Sequence, residues 1–131
     1  LIFIWSKIPW KAIGKIALMK TQSAKAKGRR LQQWVRDILT KAFFLEEGDL
    51  ESRSMGAGGE DIMMSPLARR KIPYSIECKN TEKINVWKAY EQAKANCKQY
   101  EPLLVIKKNN TQPLILVDAE HFVKLIQHEK D

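Results

Sequence analysis

From Ala24 to Phe43 the apolar residues Leu31, Trp34, Val35, Ile38, Leu39 and Ala42 recur at three- and four-residue intervals, the spacing that lines one face of an α-helix. Gly48 and Asp49 break that pattern, and Leu50–Ser54 predicts a short strand. Met55-Gly56-Ala57-Gly58-Gly59 has the composition of a loop that delivers the chain to Asp61, and Ile62–Met64 predicts a second strand. Ser65-Pro66 reads as an N-cap followed by proline at the first helical position, so 66–71 is expected to wind into a helical turn. Ile72–Lys79 predicts a third strand, folded back antiparallel to the second. Asn85 is expected to cap a second long helix that buries Trp87, Tyr90, Ala93, Cys97 and Tyr100 and ends at Pro102. Leu103–Lys107 and Pro113–Val117 flank Asn109-Asn110-Thr111-Gln112 and predict a hairpin. Asp118 is expected to cap a last helix carrying Phe122, Val123, Leu125 and Ile126 inward. The order α-β-β-β-α-β-β-α predicts a mixed sheet with helices packed against it, an α/β or α+β domain.

The alternation of a strand puts Glu77 and Lys79 on one face while Ile76 and Cys78 face the other. Asp61 lies sixteen positions before Glu77, at the start of the neighbouring apolar run. Two carboxylates and an amine on one sheet face suit a hard divalent cation acting on a phosphodiester: Mg²⁺ typically takes one or two protein carboxylates, waters and phosphate oxygens, and polarises the phosphoryl group. On this reading Asp61 and Glu77 are metal ligands, and the backbone carbonyl of Cys78 supplies a third. Lys79 holds the attacking water or stabilises the charge that develops on phosphorus. Glu60, next to Asp61, is expected to point away as a spare carboxylate. With ten Glu and seventeen Lys in the chain, about one Glu-x-Lys arises by chance, and one occurs. The weight therefore rests on context: a Gly-rich loop ending in an acidic residue, a strand, a turn, and the triplet on the adjacent strand.

Charge sharpens the picture less than the total of +8 suggests. Residues 1–30 hold eight basic residues and no acidic one, leaving fifteen of each sign in 31–131. The basic balance describes an N-terminal arm and says little by itself about nucleic acid. Leu1–Leu18 is apolar but interrupted by Lys7, Lys11 and Lys15, a pattern expected of neither a transmembrane helix nor a signal peptide. The spacing suits a basic amphipathic helix, while Met19 offers an alternative natural start. Residues 1–18 are accordingly set apart as an N-terminal extension, with 19–131 as one domain. Cys78 and Cys97 lack metal-type spacing and read as core thiols of a reduced, cytoplasmic protein.

Lys25, Lys27, Arg29 and Arg30 cluster where the first helix begins, and helix N-termini favour anions. Lys27, Arg29, Arg30, Arg53 and Ser54 are the candidates for phosphate contacts, which position a nucleic acid without reading its sequence. Lys107 and Lys108 either reach a flanking duplex arm or discourage edge-to-edge aggregation. Arg69, Arg70 and Lys71 form a further basic cluster without an assigned role. His121 and His128 read as surface or helix-end residues.

Asp61 with Glu77-Cys78-Lys79 resembles the core of the PD-(D/E)xK nuclease superfamily, whose αβββαβ order the predicted elements match. Within it, Lys27-Gly28-Arg29-Arg30-Leu31-Gln32 and Arg53-Ser54-Met55-Gly56 are similar to the archaeal and phage Holliday-junction resolvases, over about residues 23–126. The resemblance implies a restriction-endonuclease-like core and a Mg²⁺-dependent (or Mn²⁺-dependent) homodimer that places paired nicks in four-way DNA junctions. It departs at one position. The family usually has a Glu on the first helix, four residues after the Gly, as an additional metal-site ligand; here that residue is Gln32, which can donate to a phosphate or hold a metal-bound water but adds no charge. Gln92 resembles a glutamine that relatives place near the metal, with simple solvation on a helix surface as the alternative. A flap- or restriction-like nuclease and a non-catalytic branched-DNA-binding protein remain the competing expectations.

Overall fold

In the computed structural model, which describes residues 23–54 and 58–130, helices and strands combine in a mixed α and β arrangement. The elements are α1 (Ala24–Ala42), β1 (Leu50–Ser52), β2 (Ile62–Met64), α2 (Pro66–Lys71), β3 (Tyr74–Asn80), α3 (Val86–Ala95), β4 (Glu101–Lys107), β5 (Leu114–Leu116) and α4 (Ala119–Lys130). Residues 1–18, and Met55, Gly56 and Ala57 of the expected loop, lie outside the described residues. Among the described residues no helix is long and apolar enough to cross a membrane.

Short polar side chains start the helices, each accepting a backbone N–H that the helix leaves unpaired. Ser23 takes Ala26 N–H, Ser65 takes Ala68 N–H ahead of Pro66, and Asn85 takes Lys88 N–H. Asp118 accepts from Glu120 and His121 at the start of α4. Leu31, Val35, Ile38, Leu39 and Ala42 of α1 pack on Leu50, Ile62, Ile76, Cys78 and Val105 in one core cluster. Ala89 and Ala93 of α3 are buried as well, and their small size lets that helix lie close to the sheet.

The strands form two ladders, an antiparallel β1-β2 pair and a three-stranded β3-β4-β5 sheet. β3 runs parallel to β4, with Glu77 opposite Leu104 and Cys78 opposite Val105, and β4 continues antiparallel into β5. The predicted antiparallel β2-β3 ladder is absent from both. A single residue bridges the two pieces instead: Arg53 N–H donates to Asp61 carbonyl at 2.8 Å, and Asp61 N–H donates to Ile76 carbonyl at 2.9 Å. The next donor along that edge of β3, Cys78 N–H, goes to the Asp61 carboxylate rather than to a strand carbonyl, which ends the pairing.

Three expectations from apolar spacing need correction. α3 stops at Ala95, and Pro102 lies inside β4 opposite Ser75; a parallel strand tolerates proline where its missing N–H faces no acceptor. Trp87 is 83% exposed. At two residues from Ala89 it sits about 200° around the helix from the face that packs. The α4 residues Phe122, Val123, Leu125 and Ile126 are 40–54% exposed rather than turned into the core. α4 is held at its first turn, where His121 Nε2 and the Tyr74 hydroxyl share a hydrogen bond of 2.5 Å and His121 Nδ1 lies 3.6 Å from Glu101.

Candidate active site

Glu77 and Lys79 project from the face of β3 opposite to the core residues Ile76 and Cys78, as strand alternation requires. Asp61 reaches the same place from the start of β2. Its Oδ2 accepts the Cys78 N–H at 2.7 Å. Because alternate residues of a strand turn their backbone groups to the same edge, the Ile76 carbonyl and the Cys78 N–H both face Asp61, and the Cys78 carbonyl belongs to that edge too. The Cys78 thiol does not take part: it lies in the core, and burial pushes it well above its ordinary range.

Glu77 is only 4% exposed, and its Oε2 is buried with no hydrogen-bond partner. Burial, and after it the nearby Asp61 carboxylate, raise the Glu77 carboxyl to about 7, against the opposing pull of Lys79 and a hydrogen bond from Asn96. Burial also raises Asp61, offset by the Cys78 N–H, by Lys79 and Arg53, and by a hydrogen bond with Gln32. The two carboxylates therefore crowd negative charge into a poorly solvated spot that Lys79 and Arg53 only partly compensate.

Gln32 stands where α1 meets this pair. It is 3% exposed, its Oε1 accepts from the Ser52 hydroxyl at 2.5 Å, and its side chain bonds the Asp61 carboxyl. The neutral amide thus occupies the place at which the resemblance calls for a further carboxylate. Among the described residues no group of three or more His, Cys, Asp or Glu side chains is arranged to hold a metal. The donor set is two carboxylates, the Gln32 amide and the Cys78 carbonyl edge. Two negative charges balance one divalent cation, and a buried carboxylate oxygen without a partner is where such an ion would bind; Mg²⁺ sites commonly use no more than two protein carboxylates. The residues present fit the group.

Other predicted site residues are dispersed. Glu60 does point away, forming an ion pair with Arg69. Gln92 is exposed on α3 and gives only its carbonyl, to Asn96 N–H. The residue of that helix which engages Glu77 is Asn96, one turn later at the C-cap. Sequence reasoning missed it, although an Asn closing a helix that leads into the neighbouring strand was the available signal. Lys27 and Arg29 sit at the α1 start, tied to the far end of β3 by Asn80 Nδ2 donating to the Lys27 carbonyl at 3.0 Å. Arg30 follows on the same turn, half-buried. Arg53 lies away from them: its Nε donates to the Glu60 carbonyl at 2.6 Å. Ser54 is exposed. Lys107 is not free to reach a duplex arm, because its ammonium is folded onto the carbonyls of Lys108 and Thr111 at 3.0 and 2.9 Å, and burial lowers its pKa. His121 engages Tyr74 and Glu101 rather than the carboxylate pair.

Comparison of the chain with known protein families, with curated proteins and with solved structures finds no match.

Proposed function

We propose that this protein is a metal-dependent endodeoxyribonuclease with a restriction-endonuclease-like core that nicks four-way DNA junctions. The observation that carries the reading is the pairing of half-buried Asp61 with buried Glu77, with Glu77 Oε2 unpartnered and Lys79 on the same strand face. A buried carboxylate oxygen without a protein partner calls for a bound ion, a water or a catalytic role. Asp61, Glu77 and the Cys78 carbonyl would hold Mg²⁺ or Mn²⁺, which when bound neutralises the carboxylates and polarises the phosphodiester. Lys79 orients the attacking water and offsets the charge that builds on the phosphoryl oxygens as the new P–O bond forms and the bond to deoxyribose breaks. Gln32 and Asn96 fix the two carboxylates in place. Paired nicks need two such sites, and the described residues of one chain hold one carboxylate pair, so a two-fold homodimer is the assembly that suits a near-symmetric junction.

Incubating the protein with a labelled four-way junction, a flap and a linear duplex at matched salt, with Mg²⁺ or with EDTA, tests this. Junction nicking that requires Mg²⁺ and disappears in Asp61→Asn is the expected result; preference for the flap or duplex would move the substrate within the same chemistry. Gln32, in place of a third carboxylate, supports one second reading, a non-catalytic junction binder. Binding that survives EDTA with no cleavage under any divalent metal would establish it and sink the nuclease.

A further inference from the structure

A groove of about 660 Å³ opens between the β1-β2 ladder, α2 and the turn that follows α3. Asn96, whose carbonyl accepts from Ser75 two residues before Glu77, and Glu60, next to Asp61, both line it, so the groove approaches the carboxylate pair. Arg53, Arg69, Arg70 and Lys98 also line it, with Glu60 as the one acidic group in the lining. Glu60 and Arg69 neutralise one another, and the Arg69 guanidinium lies 4.3 Å over the Tyr100 ring. That clasp shapes the wall, and Arg53, Arg70 and Lys98 are the other basic side chains of the lining. Arg53 lies against the backbone at Gly59, where a Cβ would meet its guanidinium at 3.4 Å and φ is +96°, so glycine both makes the turn and admits the arginine. Lys98 adopts φ +52°, a conformation in which glycine or asparagine is less strained, yet the residue there is an exposed lysine.

The groove adjoins the Tyr74–Ser75 end of β3, where Arg69 Nη1 donates to the Tyr74 carbonyl and Ser75 Oγ to the Asn96 carbonyl. The basic start of α1 adjoins the other end at Asn80. Along the seven residues of β3, about 20 Å at ~3.3 Å per residue, positive charge therefore lies on either side of the carboxylates.

We propose that this groove binds the phosphates of the nucleic-acid strand running away from the scissile bond, with Arg70 and Lys98 as its phosphate contacts and Arg53 at its inner end. The proposal rests on the nuclease reading for its direction, but its test is binding alone. Fluorescence anisotropy of a labelled four-way junction, in EDTA so that no cleavage occurs, should be followed from about 50 to 200 mM salt for the full chain, for Arg70→Gln with Lys98→Asn, and for a Lys41→Gln control at the far end of α1. Lys98→Asn suits the left-handed backbone, so circular dichroism and the unfolding midpoint should be unchanged or improved. Loss of two phosphate contacts should flatten the log–log salt dependence by about 1.4–1.8 and weaken binding at least tenfold, with the control unaffected. A folded double variant whose affinity and salt slope match the control would overturn the groove, even if the protein cleaves junctions. A flattened slope in a protein that never cleaves would uphold the groove and defeat only the nuclease.

Discussion

Asp61 Oδ2 accepts the backbone N–H of Cys78 at 2.7 Å, so a carboxylate of the candidate site is also a structural bond between the two strand ladders. A charged acceptor makes that bond stronger than an ordinary strand bond and draws Asp61 toward Glu77, with which it competes for charge. On the proposed nuclease reading this residue would couple folding to cation binding, with consequences that can be measured.

Glu77→Gln should stabilise the metal-free protein at alkaline pH. The Glu77 carboxyl is raised from 4.5 to about 7 in the fold, so between those values the folded state holds more protons than the unfolded one and stability falls as pH rises, by at most about 1.4 kcal/mol per unit. Thermal unfolding in EDTA should show a wild-type midpoint that drops from pH 5 to pH 8 and a flatter profile for the variant. Mg²⁺ should restore the wild type at pH 8 and leave Glu77→Gln unmoved. An unchanged profile would mean that the carboxylate pair is not under electrostatic stress.

Gln32→Glu adds the carboxylate that the nuclease resemblance calls for, at a position 3% exposed and bonded to Asp61. Without metal it should lower stability at pH 8, since a further buried charge joins Glu77 and half-buried Asp61. With Mg²⁺ it should tighten the metal by about tenfold, the lower end of what neighbouring groups contribute at metal sites. Isothermal titration with Mg²⁺ reads both the sign and the size.

Asn96→Ala removes a hydrogen bond that favours the ionised form of Glu77. The variant should retain its fold but shift any pH–cleavage profile to higher pH, with Asn96→Asp failing to rescue because it brings a like charge. A uniform fall in rate with an unshifted profile would make Asn96 a packing residue only.

Arg69→Ala leaves Glu60, 13% exposed at its side chain, without its ion partner and strips the guanidinium from Tyr100. A loss of about 2–3 kcal/mol is expected from an uncompensated, largely buried charge. Glu60→Gln in the same chain should recover part of it, which chemical denaturation of the single and double variants will show.

Tyr74→Phe deletes the hydroxyl that bonds His121. α4 presents its apolar residues outward, so this first-turn contact carries much of its attachment. Amide exchange should rise across Ala119–Lys130 in the variant while α1 and β3 keep their protection.

Much of the secondary structure was legible because its causes are local. The α1 stripe from Leu31 to Ala42, the caps Ser65, Asn85 and Asp118, the Ser65-Pro66 helix start and the Asn109–Gln112 turn each act within a few residues, and each appears close to where spacing places it. Strand alternation likewise sets Glu77 and Lys79 on one face, and the sequence alone names Asp61 as their partner. Only the tertiary structure decided that Asp61 bonds Cys78 and interrupts the β2-β3 pairing, and that β3 takes β4 as its parallel neighbour. It also brought Gln32 and Asn96 to the carboxylates from two different helices, and left the apolar residues of α4 facing out while folding Lys107 in. An amphipathic period states that a helix has an apolar face, not what that face meets. The meeting of surfaces depends on chain closure across tens of residues, and no local spacing encodes it.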